Sequence, residues 1–141
     1  MTRLEFNRVL CALLLAGCSL AQAADRAVVV IGHASVRKLD QAALQRIFTG
    51  KTIELDGVRV QPINAAPGTP VRQRFLSQYL QTDEDQYVGY WTVRRYVGKG
   101  TPPPEVKQAA EMIELVGKTP GAIGYIDEAD LQPGLNVLLR K

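Results

Sequence analysis

The residues with most to offer chemically lie between Val58 and Leu80, in the stretch VRVQPINAAPGTPVRQRFLSQYL. Asn64 to Gly68 is a run of small residues. Thr69 and Pro70 then carry the chemistry of a helix start: a hydroxyl that can cap, followed by a proline whose missing N–H costs nothing at the first helical position. A strand that passes into a helix through such a loop presents free backbone N–H groups and the positive end of the helix dipole. That chemistry suits a small anion, with Asn64, Gly68, Thr69 and Arg72 as the binding set and Arg74 as a second cation within reach. The competing account is an ordinary capped helix with solvated arginines on its polar face, which is the fate of most helix starts.

Other reactive residue types do not assemble. His33 is the sole histidine and Ser35 lies two residues on, but a nucleophilic site needs a third group and an oxyanion donor. No nucleophile-elbow pattern is present. Asp83, Glu84 and Asp85 form the densest carboxylate run, and a helix start explains them without any metal ion. Lys99 with Arg94 and Arg95 could form a second basic rim, but such clusters are usually solvated charges flanking a turn. The sequence therefore predicts no catalytic residue, no metal site and no cofactor.

The elements that position the loop follow from periodicity. Val28 to Gly32 (VVVIG) is a continuous β-branched run, a strand buried on both faces. Asp40 is a good N-cap for a helix whose buried stripe is Leu44, Ile47 and Phe48, and Gly50 is a natural left-handed stop. Asp56-Gly57 between Ile53/Leu55 and Val58/Val60 is a strong hairpin signal. Val58, Val60 and Ile63 read as one strand leading into the loop. The helix after Thr69 is expected to bury Val71, Phe75, Leu76, Tyr79 and Leu80. Thr82 is the expected cap of the next helix, which carries Tyr87, Tyr90, Trp91 and Arg94. A further helix is predicted from Glu105 to Gly117, with Val106, Ala110 and Ile113 on one face and Ala109, Met112 and Val116 adjoining it. Ala122 to Ile126 and Val137 to Leu139 read as closing strands. Strands alternating with helices predict a single three-layer α/β domain.

The 141 residues suffice for one core. The first of them read as an export leader: Arg3 and Arg8, a short apolar run from Val9 to Ala16, and Ala21-Gln22-Ala23 as a small-x-small cleavage site. The division expected is residues 1–23 as signal peptide and 24–141 as the domain. Leu15-Ala16-Gly17-Cys18 also resembles a bacterial lipobox, so Cys18 is an alternative processing site at which acylation would tether the domain to a membrane. Either route places the domain in the periplasm. Cleavage after Ala23 leaves 15 basic residues against 13 acidic, too weak a balance to argue for nucleic acid. It also removes Cys11 and Cys18, so the mature domain would have no disulfide and no thiol.

Six stretches in order carry a family resemblance. They are LDQAALQRIFTGK (Leu39 to Lys51), Asp56-Gly57 with VRVQPI, GTPVRQRF (Gly68 to Phe75), Tyr90-Trp91, GKGTPPP (Gly98 to Pro104) and PGAIGYI (Pro120 to Ile126). Together they resemble the short substrate-binding proteins of phosphate ABC transporters, with the type II periplasmic binding fold. The resemblance implies one lobe of that fold and a non-catalytic exported module linked to phosphate transport. Its implied partners are a small oxyanion such as phosphate and a membrane transporter or sensor. Relatives offer an Arg and then Ser-Gly-Thr at the corresponding helix start; this chain keeps Gly68-Thr69, with Pro67 in place of the Ser and Ile63 or Asn64 in place of the Arg. The segment that supplies the first lobe's loops is expected to be absent. The alternative implied by that loss is a ligand-free interaction or sensory domain that docks a partner or forms a homodimer.

Overall fold

The computed structural model describes residues 26–141. The expected leader, with its apolar run, Cys18 and the expected cleavage site at Ala21–Ala23, lies outside the described residues. Strand β1 (Val28–Gly32) is buried at every position and lies between two antiparallel neighbours, as its unbroken apolar run requires. Helix α1 (Gln41–Phe48) follows, with the Asp40 carboxylate accepting from the Ala43 N–H at 2.7 Å. A hairpin of β2 (Glu54–Leu55) and β3 (Val58–Arg59) turns through Asp56 and Gly57, both at positive φ, the geometry of a two-residue primed turn.

The expected single strand from Val58 to Ile63 is instead divided. β3 pairs only with β2, β4 (Gln61–Pro62) joins the main sheet, and β5 (Asn64–Ala65) pairs elsewhere. Pro62 lacks the N–H that would continue a ladder, so the chain changes partners there. Helix α2 (Pro70–Tyr79) begins on its proline and buries Phe75, Leu76 and Tyr79, with Val71 and Leu80 packed beside them. Helix α3 (Glu84–Tyr96) is capped by Asp83, not Thr82. The Asp83 side chain accepts from the Gln86 N–H at 2.9 Å, and the Thr82 hydroxyl is spent on the Gln86 side chain.

The other correction concerns the segment after the three prolines. Glu105–Val106 is a strand, β6, parallel to β5, and helix α4 (Ala109–Lys118) starts only afterwards. Its buried side chains are Met112 and Val116, with Ala109 and Ile113 packed beside them; Ala110 is exposed. Gly117 lies inside this helix and does not stop it. β7 (Ala122–Asp127), a short 3-10 turn (Glu128–Asp130) and β8 (Asn136–Arg140) complete the chain.

The main sheet runs β4-β7-β1-β8, with β4 parallel to β7 and the other pairs antiparallel. Alternate residues of the strands feed two cores. Val28, Val30, Ile123, Tyr125 and Leu138 face α1, α2 and α3. Val29, Ile31, Ala122 and Ile126 face α4. The layers are thus helix, sheet, helix, the three-layer α/β arrangement that the alternation of elements predicts. On the first side Phe75 stacks on Tyr125 with ring centroids 3.7 Å apart, and Phe48 meets Phe75 edge-on at 4.8 Å. Burying each such ring contributes about 1.5–3 kcal/mol. On the second side Gly124 lets α4 approach closely, because a Cβ there would collide with the Met112 sulfur.

Candidate functional site

The parallel pairing of β5 with β6 decides where the site lies. Asn64 is in register with Glu105 and Ala65 with Val106, and a helix follows each strand. Two parallel strands that each lead into a helix bring the two helix starts side by side. A groove of about 390 Å³ opens between them, lined by Thr69, Pro70 and Val71 at the start of α2 and by Lys107, Gln108 and Ala109 at the start of α4.

Neither helix start is capped by a side chain. The Thr69 hydroxyl, expected to cap α2, donates backwards to the Ala66 carbonyl at 2.7 Å. Gln108 makes no capping hydrogen bond for α4. By contrast α1 and α3, whose starts do not line this groove, are capped by Asp40 and Asp83. The first-turn N–H groups of α2 and α4 therefore keep their donor capacity, and the two dipoles add at one place. Gly68, at φ +81°, turns the chain into α2 with open space where a side chain would be.

Arg74 borders the groove. Its Nη2 donates to Asp127 Oδ2 at 2.7 Å, while its Nε is buried without a partner. Asp127 also has Arg26 at 4.0 Å. Counting Lys107 and Asp130, the groove wall carries three cations against two carboxylates.

Asn64 and Arg72, also expected to touch a ligand, lie beneath the loop and do not line this groove. Asn64 is buried, donating from Nδ2 to the Tyr87 hydroxyl and accepting from the Tyr125 hydroxyl, both at 3.1 Å. Arg72 is only 2% exposed. Its Nε and Nη2 donate to the two oxygens of Glu84 at 2.8 Å each, and its Nη1 donates to Glu105 at 3.0 Å and to the Ala65 carbonyl at 3.1 Å. Burial alone would lower the guanidinium pKa, but Glu84 and Glu105 more than reverse that and hold it above its ordinary value. Tyr125 also accepts from the Ala65 N–H at 3.0 Å. Both polar groups of Ala65 are thus gripped by side chains, and the loop that follows starts from a fixed point. Burial pushes the Tyr87 and Tyr125 phenols up, so both stay protonated as donors.

The remaining features add no chemistry. The Ser35 hydroxyl bonds His33 Nδ1 at 2.8 Å and the Ser35 N–H reaches the same nitrogen at 3.1 Å, which closes a local turn. Among the described residues no group of His, Cys, Asp or Glu is arranged to hold a metal. No described helix is long and apolar enough to cross a membrane. A wider concavity of about 670 Å³ lies between Ile53, Trp91, Lys99 and Pro102–104, but no helix starts there. Sequence reasoning missed the contribution of α4, together with Arg26 and Lys107, because it placed that helix start at Glu105. The β-branched Val106, which favours a strand over a helix at that point, was the available signal.

No protein-family model and no curated protein matches the chain. Solved structures do. An ABC-type phosphate transport receptor from Vibrio cholerae superposes with a TM-score of 0.62 at 13% identity, over 80% of this chain and 45% of that one. A putative phosphate ABC transporter substrate-binding protein from Clostridium perfringens, with bound phosphate, gives 0.63 at 15% identity, over 80% and 44%. A PstS from Borrelia burgdorferi gives 0.58 at 18% identity, over 80% and 46%. The chain spans less than half the length of these proteins, and its α/β layers have the fold of one lobe of a phosphate-type substrate-binding protein.

Proposed function

We propose that the protein is a non-catalytic, exported binding module that takes a small oxyanion such as phosphate in the groove between α2 and α4. The observation that carries this reading is the convergence of two helix starts without side-chain caps, at Thr69 and Gln108, on one groove with a cationic surplus. The backbone N–H groups of Val71 and Ala109 supply the donors, and Arg74, with its unpartnered Nε, supplies the charge. Asn64 and Arg72 act from below by fixing Ala65, so their role is to hold the loop in shape. The export leader read at residues 1–23 and the phosphate receptors among the structurally similar proteins agree with it.

Calorimetric titration of the exported protein with phosphate tests the proposal. Saturable heat is expected, and it should weaken in Ala109→Pro, which removes one N–H from the groove. That proline is tolerated: Ala109 is the first helical residue, and Gln108 before it is extended at φ −131°, ψ 150°. No saturable heat at millimolar phosphate rejects the proposal. A second reading, a partner-docking module, is favoured by a different observation. The large apolar side chains left exposed among the described residues lie in two segments, the one after α1 and helix α3 with its C-cap.

A further inference from the structure

Those exposed side chains are Ile53, Val88, Val93, Tyr96 and Val97. They fall within residues 41–53 and 86–104, two stretches that contain no Asp or Glu and carry Arg46, Lys51, Arg94, Arg95 and Lys99. The two stretches meet in space. Tyr90 donates to the Thr49 carbonyl at 2.6 Å, Trp91 packs over Gly50, and Arg94 Nη2 reaches both the Gly50 and Lys99 carbonyls. The Arg94 guanidinium also stacks on the Tyr90 and Trp91 rings. The last turns of α3 and the segment after α1 thus form one rigid end, with basic and apolar side chains interleaved on it.

Helix dipoles explain part of this. Arg46, Arg94 and Arg95 lie in the last turns of α1 and α3, where cations are favoured. They do not explain why Tyr96 stands 92% exposed, or why Val93 and Ile53, each 63% exposed, share that end. Val93 and Tyr96 project from the side of α3 opposite the buried Tyr87 and Trp91, and Val97 stands exposed at its C-cap, so nothing in this domain covers them.

From this we infer that this end of the molecule docks on an anionic phospholipid surface. A two-fold contact of this end with itself is disfavoured, because it would set the same five cations against themselves. The occupant must therefore be anionic, and it must accept apolar tips presented on a convex helix end. A lipid headgroup layer does both: aliphatic and tyrosine side chains enter the interface while Lys and Arg meet the phosphates. An acidic protein would need a complementary concave face, with about 800 Å² buried on each side. Of the neighbouring carboxylates, Glu84 and Glu105 are bound to Arg72, Glu54 stands opposite Arg59 in the β2–β3 ladder, and Asp83 and Asp85 lie at the far end of α3 from Tyr96.

Co-sedimentation of the exported protein with vesicles tests this. Vesicles rich in phosphatidylglycerol should retain it, pure phosphatidylcholine vesicles should retain far less, and the difference should vanish as salt shortens the screening length from about 10 Å to about 3 Å. In Arg95→Glu/Lys99→Glu, retention on anionic vesicles should fall more than about tenfold. Val93→Ser/Tyr96→Ser should weaken it several-fold with an unchanged circular dichroism spectrum, since all four positions are exposed. Equal retention on both vesicle types overturns the inference, as does retention indifferent to these substitutions, or capture of an acidic protein by a chain that ignores the vesicles.

Discussion

Arg72 and Arg74 lie two residues apart on α2, yet the fold uses them in opposite ways. Arg72 is buried and meets both oxygens of Glu84, one of Glu105 and the Ala65 carbonyl. Arg74 faces the groove with a single carboxylate, Asp127, and keeps its Nε unpaired. One guanidinium is matched by two carboxylates and has no potential left for a ligand. The other shares its carboxylate with Arg26 and does. The difference shows that an arginine near a helix start is a ligand candidate only after its carboxylates have been counted. Those carboxylates can come from anywhere in the chain.

The largest expected effect of breaking this contrast is on stability. Arg72→Met strands Glu84 and Glu105 beside an apolar chain and frees the Ala65 carbonyl. Because both glutamates reach solvent, the cost should sit at the low end of the range for a broken buried pair, about 3 kcal/mol. Urea unfolding measures it. A loss below about 1 kcal/mol would mean that the cluster behaves as a surface ion pair.

Next is Tyr125→Phe. It leaves the Ala65 N–H and the Asn64 side-chain oxygen without their buried partner, at a cost of about 2 kcal/mol near neutral pH. The same variant sharpens the comparison through pH. Burial raises the Tyr125 pKa, so the folded chain holds this proton longer than the unfolded chain does. Its stabilising contribution is whole below the ordinary tyrosine value near pH 10 and is lost as pH rises through the higher folded value. The gap between wild type and Tyr125→Phe should therefore narrow above about pH 10 in urea midpoints taken across the alkaline range. A constant gap would show that the phenol ionises alike in both states.

What the sequence made legible is what local pattern encodes. VVVIG could only be a strand covered on both sides, Asp40 could only begin a helix, and Asp56-Gly57 could only turn a hairpin. The layer order followed from the alternation. Arg72's partners were illegible because Glu84 and Glu105 come 12 and 33 residues later, and no periodicity links them. The strand at Glu105–Val106 was hidden for a related reason. Two residues carry no period, and their only support is a parallel ladder to Asn64–Ala65 across the fold. Missing that ladder displaced the start of α4, and with it half of the groove. Thr69 misled differently. Threonine before Pro70 is a cap by composition, but its hydroxyl found the Ala66 carbonyl closer.

On the groove side the expected effects are on binding. Arg74→Gln keeps one donor towards Asp127 and removes the charge. Phosphate affinity should drop about tenfold, or roughly 1.4 kcal/mol, and the unfolding midpoint should fall less than in Arg72→Met, because Asp127, though only 13% exposed, keeps a donor from the glutamine and has Arg26 nearby. Calorimetry beside thermal melts separates the two. If the melt falls and the affinity holds, Arg74 is a strut like Arg72 and the contrast collapses.

The smallest effect compares the helix starts directly. Asp40→Ala removes a true cap from α1 and should cost about 1 kcal/mol. Thr69→Ala removes no cap from α2, only the hydroxyl bond to Ala66, and should cost a few tenths, at most about 0.5 kcal/mol. The order matters more than either value. A helix whose first N–H groups are served by its own side chain loses stability when that side chain goes. A helix whose first N–H groups are left for something else does not. If denaturant midpoints show Thr69→Ala losing as much as Asp40→Ala, then the hydroxyl caps α2 in solution, its N–H groups are already occupied, and the groove loses half of the donors on which anion binding depends.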